Sequence, residues 1–123
     1  MTPFGKKVRE MRATRGIALK AMAHEIGVSP AYLSALEHGH RGKPTWYLVQ
    51  KIVSFFNVIW DEAEELERLA QISDPRVTLY TAGLSPVVTE AANIFEKKIK
   101  ALSESEAQAI LDILAKVDDR TSA

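Results

Sequence analysis

Gly16-Ile17-Ala18-Leu19-Lys20-Ala21-Met22-Ala23-His24-Glu25-Ile26-Gly27-Val28-Ser29-Pro30-Ala31-Tyr32-Leu33-Ser34-Ala35-Leu36-Glu37-His38-Gly39 reads as two short helices joined by a tight turn. The first runs from about Leu19 to Ile26 and buries Met22, Ala23 and Ile26 at helical spacing. Gly27 ends it, because glycine takes positive φ without a Cβ penalty. Ser29-Pro30 opens the second, with a hydroxyl at the N-cap and proline at the first helical position. That helix spans roughly 30–38 and closes at Gly39. Only Gly27, Val28 and Ser29 separate the two.

Working outward, Thr2-Pro3 gives the same cap-and-proline start to a preceding helix that Gly16 stops, with Phe4, Val8 and Met11 on one side. Beyond the loop His40-Arg41-Gly42-Lys43-Pro44, Thr45 caps a fourth helix through about Phe56, and Asn57 suits its exit. Asp61 and Glu64 form a capping-box pattern, predicting a fifth helix that starts behind Asp61 and reaches about Ile72. The acidic run 61–65 then lies in a first turn, where the helix dipole favours negative charge; its role is structural rather than metal binding. Ser73-Asp74-Pro75 breaks the helical pattern, and 76–85 reads as an extended linker or a short strand. Ser85-Pro86 starts a sixth helix, apolar at Val88, Ala91, Ala92, Phe95, Ile99 and Leu102. Ser103 and Glu106 form a second capping box, before a last helix carrying Ala107, Ile110, Leu111, Leu114 and Val117 on one side. The expected class is all-α: a five-helix domain over 1–73, a linker over 74–85, a helical hairpin over 86–118 and a frayed tail over 119–123.

Composition narrows the function. The chain has 123 residues, 46% hydrophobic and 26% charged, an ordinary globular balance. It has no cysteine, hence no disulfide framework and no thiolate metal site. No apolar run is long enough to span a bilayer, and the N-terminus lacks the apolar core of a signal peptide, so the expected location is the cytoplasm. The net charge of zero conceals a division: residues 1–51 carry nine Lys and Arg against three Glu, a net +6, and the remainder carries −6. A basic half suits a polyanionic partner.

The quoted stretch resembles the helix-turn-helix of the Cro/lambda-repressor family, the xenobiotic-response-element type, over roughly residues 4–70. The resemblance rests on Ala23, the Gly27-Val28-Ser29 turn, the inward Leu33 and Leu36, and Glu37-x-Gly39. It implies a five-helix lambda-repressor-like fold whose second motif helix enters the major groove of double-stranded DNA. It further implies that Ala23 lets the motif helices cross closely, and that Arg12 and Glu37 form a structural ion pair. The residues placed on DNA are Ser29, Pro30, Ala31, Tyr32, Ser34, Ala35 and His38, with Lys20, His40, Arg41, Lys43 and Thr45 along the backbone.

Two departures from the family pattern matter. Pro30, Ala31 and Ala35 stand where the family usually places Gln, Arg or Ser; they can meet thymine methyls but cannot make bidentate hydrogen bonds to bases. Tyr32 and Ser34 then become the polar readers, with Tyr32 as a packing residue the other reading. Leu19 stands where the family commonly has a phosphate-touching Gln, which leaves that contact to Lys20.

The expected function is therefore a DNA-binding transcription regulator, a repressor acting as a homodimer. Val88, Phe95, Ile99, Leu102, Ile110 and Leu114 would dimerise, because their stripes offer more apolar surface than one partner helix covers. The alternative is an antitoxin-type autoregulator whose C-terminal helices bind a partner protein; a third reading is a non-DNA interaction module that keeps the fold. Scattered Ser, His and Asp residues form no catalytic motif, so no enzyme activity is expected. No cofactor or metal is expected either, since His38 and His40 have no cysteine or carboxylate cluster beside them.

Overall fold

The computed structural model describes residues 1–117; residues 118–123, which include the tail expected to fray, lie outside the described residues. Among the described residues all regular structure is helical: α1 (Pro3–Arg15), α2 (Leu19–Ile26), α3 (Pro30–Glu37), α4 (Trp46–Phe56), α5 (Asp61–Gln71), α6 (Pro86–Lys98), a 3-10 turn (Ile99–Ala101) and α7 (Glu104–Ala115). The chain divides into two units, Met1–Val77 and Thr78–Ala123.

The helix starts follow from hydroxyl caps, each satisfying an amide that the first turn leaves unpaired. Thr2 accepts from the Gly5 N–H at 3.0 Å, Ser29 from Tyr32 at 3.0 Å and Thr45 from Leu48 at 3.2 Å. In the second unit Ser85 accepts from Val88 at 3.4 Å, and Ser103 and Glu106 form a reciprocal capping box at 3.1 and 2.9 Å. Gly27 ends α2 at φ 79, the left-handed conformation that lets the chain turn within three residues.

α5 begins differently from expectation. Asp61 is its first residue, not its cap; Trp60 holds the cap position at φ 54 and ψ −123 with no side-chain hydrogen bond. The Glu64 amide is satisfied instead by the Trp60 carbonyl at 2.9 Å. Asp61, Glu62 and Glu64 still lie in the first turn, so their service to the helix dipole survives the shift. The expected continuation of α6 through Leu102 is also corrected: helix gives way to the 3-10 turn at Ile99, and Leu102 is extended at ψ 132. No strand forms among the described residues; 76–80 run without a ladder partner, and a turn at Thr81–Leu84 leads to α6.

The core of the first unit joins all five of its helices through Phe4, Val8, Met22, Ala23, Leu33, Leu36, Ile52, Phe56 and Leu66, each at most 2% exposed. α1 and α3 meet closely where Gly5 lies against the end of α3: a Cβ there would sit 2.0 Å from the Glu37 carbonyl oxygen. The Thr2 amide donates to that same carbonyl at 3.1 Å. Nearby, the buried Ser73 hydroxyl accepts from the Phe4 amide at 2.9 Å and donates to the Leu69 carbonyl at 2.6 Å. The segment leaving the first unit is thereby fastened to the start of α1.

The second unit has a different character. None of the residues of α6, the 3-10 turn or α7 is buried.

Candidate nucleic-acid interface

The arrangement of α2, the turn and α3 determines which side chains face outward. Leu33, Leu36 and Glu37 are buried, so the remaining α3 positions form its outer face. Ser29, Pro30 and Ala31 at the leading end are exposed; Tyr32, Ser34 and Ala35 are half-buried. The Ser29 oxygen is committed to its cap, but its O–H stays free to donate. Tyr32 is half-buried. Its ring packs against the core cluster, and the Arg41 guanidinium lies 5.0 Å from the ring centroid. This cation–π contact holds Arg41 beside α3 although it belongs to the following loop.

At the far end of α3, His38 Nδ1 lies 2.9 Å from the Ser34 carbonyl. A carbonyl can only accept, so this contact requires a proton on Nδ1 and leaves Nε2 for a ligand. The His38 and His40 rings stack at 6.5 Å and 14°. Two sets of direct contacts thus line this face, Tyr32 with Arg41, and Ser34 with His38 and His40. Lys20 is exposed near the start of α2, while Leu19 is half-buried against the core. Thr45 is exposed and caps α4. Lys43 is exposed but bound elsewhere: its ammonium donates to Gln71 Oε1 on α5 at 3.0 Å.

Arg12 and Glu37 lie behind this face, 8% and 2% exposed. Arg12 Nη2 donates to both carboxylate oxygens at 2.9 and 2.8 Å, while its Nε is buried without a partner. The pair joins α1 to the end of α3 and offers nothing to a ligand. Among the described residues no three His, Asp or Glu side chains gather into a possible metal cage, and no helix is long and apolar enough to cross a membrane.

Sequence reasoning passed over two aromatic residues. Trp46 and Tyr47 open α4 and are 73% and 66% exposed. The signal was present, since the buried stripe of α4 is Leu48, Val49, Ile52 and Phe56, which excludes both. Tyr47 also carries the Lys51 ammonium 4.8 Å from its ring centroid.

Comparison with known proteins agrees with this architecture. Residues 8–62 match the helix-turn-helix family HTH_3. That segment is similar to the Cro/lambda-repressor-like helix-turn-helix family. Three relatives come from Bacillus subtilis (strain 168). The chain is 33% identical to the uncharacterized HTH-type transcriptional regulator RghRB over 61 residues, 50% of this chain and 44% of that protein. It is 28% identical to the HTH-type transcriptional repressor RghR over 107 residues, 87% of this chain and 68% of that one. It is 26% identical to the HTH-type transcriptional regulator SinR over 73 residues, 56% of this chain and 66% of the relative. The chain therefore spans less than half the length of the first of these. A solved SinR protein/SinI protein complex matches 80% of this chain and 99% of its own, at 22% identity and a TM-score of 0.41.

Proposed function

We propose that the chain is a sequence-specific transcription regulator of the cytoplasm, a dimeric repressor that binds double-stranded DNA with residues 29–38 in the major groove. The observation that carries this reading is the exposed leading turn of α3, with Arg41 held beside it on the Tyr32 ring. Ser29, Pro30 and Ala31 meet base edges first; Pro30, Ala31 and Ala35 contact thymine methyls, and Tyr32 and Ser34 supply hydroxyls. Lys20, His38, His40, Arg41, Lys43 and Thr45 meet the sugar–phosphate backbone, Lys43 after exchanging Gln71 for a phosphate. Because bidentate base contacts are missing, affinity rests heavily on phosphate neutralisation by the net +6 of residues 1–51. Binding needs no cofactor and no catalytic step.

The second unit supplies the dimer contact. Val88, Phe95, Ile99 and Leu114 are exposed, and Leu102 and Ile110 are only half-buried. A hairpin without a buried residue has too little core of its own, and a second copy completes it as a four-helix bundle. Pairing also explains the function, since two helix-turn-helix units read half-sites about one DNA turn apart. The same uncovered face supports a second reading, an antitoxin-type autoregulator whose α6 and α7 seat a different protein.

Genome-wide mapping of DNA bound by the full chain, with sedimentation in parallel, tests the proposal. The expected result is a recurring paired motif and a dimer. Motif-free DNA together with a monomer would overturn it.

A further inference from the structure

We infer, building on the DNA-binding reading, that Trp46 is a further DNA contact: its indole lies against deoxyribose faces of the duplex beside the half-site. Trp46 and Tyr47, with Gln50, Lys51 and Phe55, form one wall of an open groove, and Glu25, Ile26 and Gly27 form the other. Gly27 begins the turn that leads to the Ser29 cap, so the wall facing the two aromatics runs on to the leading end of α3. On its other side Trp46 borders Lys43, Pro44 and Thr45, the end of the basic loop. The indole thus stands between two segments that the DNA-binding reading already places on the duplex.

Chemistry selects the sugar rather than the phosphate. An indole offers a broad apolar face and one N–H donor, which suits a deoxyribose with a phosphate oxygen at its edge. The Glu25 carboxylate on the facing wall repels a phosphate from the groove itself, which leaves the contact at its mouth. Lys51, whose ammonium lies 3.4 Å from the Ile26 carbonyl and over Tyr47, keeps that mouth cationic. The contact also answers a need of this sequence: with small apolar groups leading α3, affinity must come from the flanks. Because the contact is nonionic, it adds affinity without releasing counterions.

The chain has two tryptophans, which makes the test direct. Trp60→Phe leaves Trp46 as the only indole reporter, and Trp46→Phe leaves Trp60. Acrylamide quenching of each variant is followed with a mixed-sequence duplex of about two helical turns at low ionic strength. Saturation with duplex should reduce quenching of Trp46 severalfold and leave Trp60 unchanged. In addition, Trp46→Ala should weaken duplex binding roughly tenfold, equivalent to about 55 Å² of apolar surface at about 25 cal/mol per Å², with an unaltered salt slope. A Trp46 that stays equally quenchable in the saturated complex overturns the inference. Protection that grows with protein concentration in the absence of duplex also overturns it, and assigns Trp46 to a contact between copies. Failure of the unsubstituted chain to bind duplex at all would take down the DNA-binding reading, and this inference with it.

Discussion

Replacing Arg12 by Ala separates architecture from DNA contact in this fold. Glu37 is 2% exposed, and its carboxylate oxygens are both held by Arg12 Nη2. Removing the guanidinium leaves that carboxylate buried without a counter-charge, a loss of ~3–5 kcal/mol. A unit the size of Met1–Val77 has a total stability of about 4–12 kcal/mol, at about 0.05–0.15 kcal/mol per residue. The variant should therefore lose about a quarter or more of its stability. In urea, with a slope of about 1.5 kcal/mol per M, the midpoint of helix loss should fall by about 2–3 M. Circular dichroism of the full chain reads this directly. The double variant Arg12→Met, Glu37→Leu should recover most of the loss, since it leaves no buried charge and removes the unpartnered Arg12 Nε as well. An Arg12→Ala protein with an unchanged midpoint and weaker duplex binding would refute the reasoning and move Arg12 into the contact surface.

Gly5→Ala should destabilise the first unit by about 1–3 kcal/mol or more, because the added Cβ meets the Glu37 carbonyl oxygen at 2.0 Å and both are backbone-anchored; the same urea titration measures it. Arg41→Ala and Lys43→Ala should weaken binding to specific and random duplexes alike and flatten the salt dependence by about one phosphate per site removed. A slope unaltered in both variants would assign these charges to solubility alone. In the second unit, the bond from the Ser103 backbone holds the Glu106 carboxyl below the usual carboxylate range. A depressed folded-state pKa contributes stability above the unfolded value and loses it as pH falls through the folded one. Helicity of α7 should therefore decline on acidification below about pH 4, and Glu106→Gln should blunt that decline; an identical acid titration in the variant would count against the capping box.

The sequence made most helix starts legible because a hydroxyl followed by proline, or by an amide three residues on, leaves little choice of local structure. Thr2, Ser29, Thr45, Ser85 and Ser103 all occupy N-cap positions with the expected bonds. The start of α5 was not legible, since a tryptophan at φ 54 contradicts local preference and arises from how the chain turns between α4 and α5. The end of α6 was likewise hidden, because the apolar stripe continues through Ile99 and Leu102 while the backbone tightens and then extends. At the proposed interface, charged and hydroxyl groups display their phosphate chemistry in the sequence, whereas the exposure of Trp46 depends on which face of α4 the core takes. The contact of Arg41 with Tyr32 joins a loop to a helix, and no periodicity encodes it.

The central claim is that a basic face led by α3 grips duplex DNA and that the second unit pairs two such faces. Titration of the full chain and of a chain ending at Val77 against the mapped duplex, over a series of salt concentrations, tests it most directly. The account predicts that the full chain binds tightly with a steep negative salt slope. The shortened chain should stay folded, because it retains Ser73 and its bond to Phe4, yet bind about 10²–10⁴-fold more weakly as a monomer. Binding that is insensitive to salt, or equal for the two chains, would contradict it.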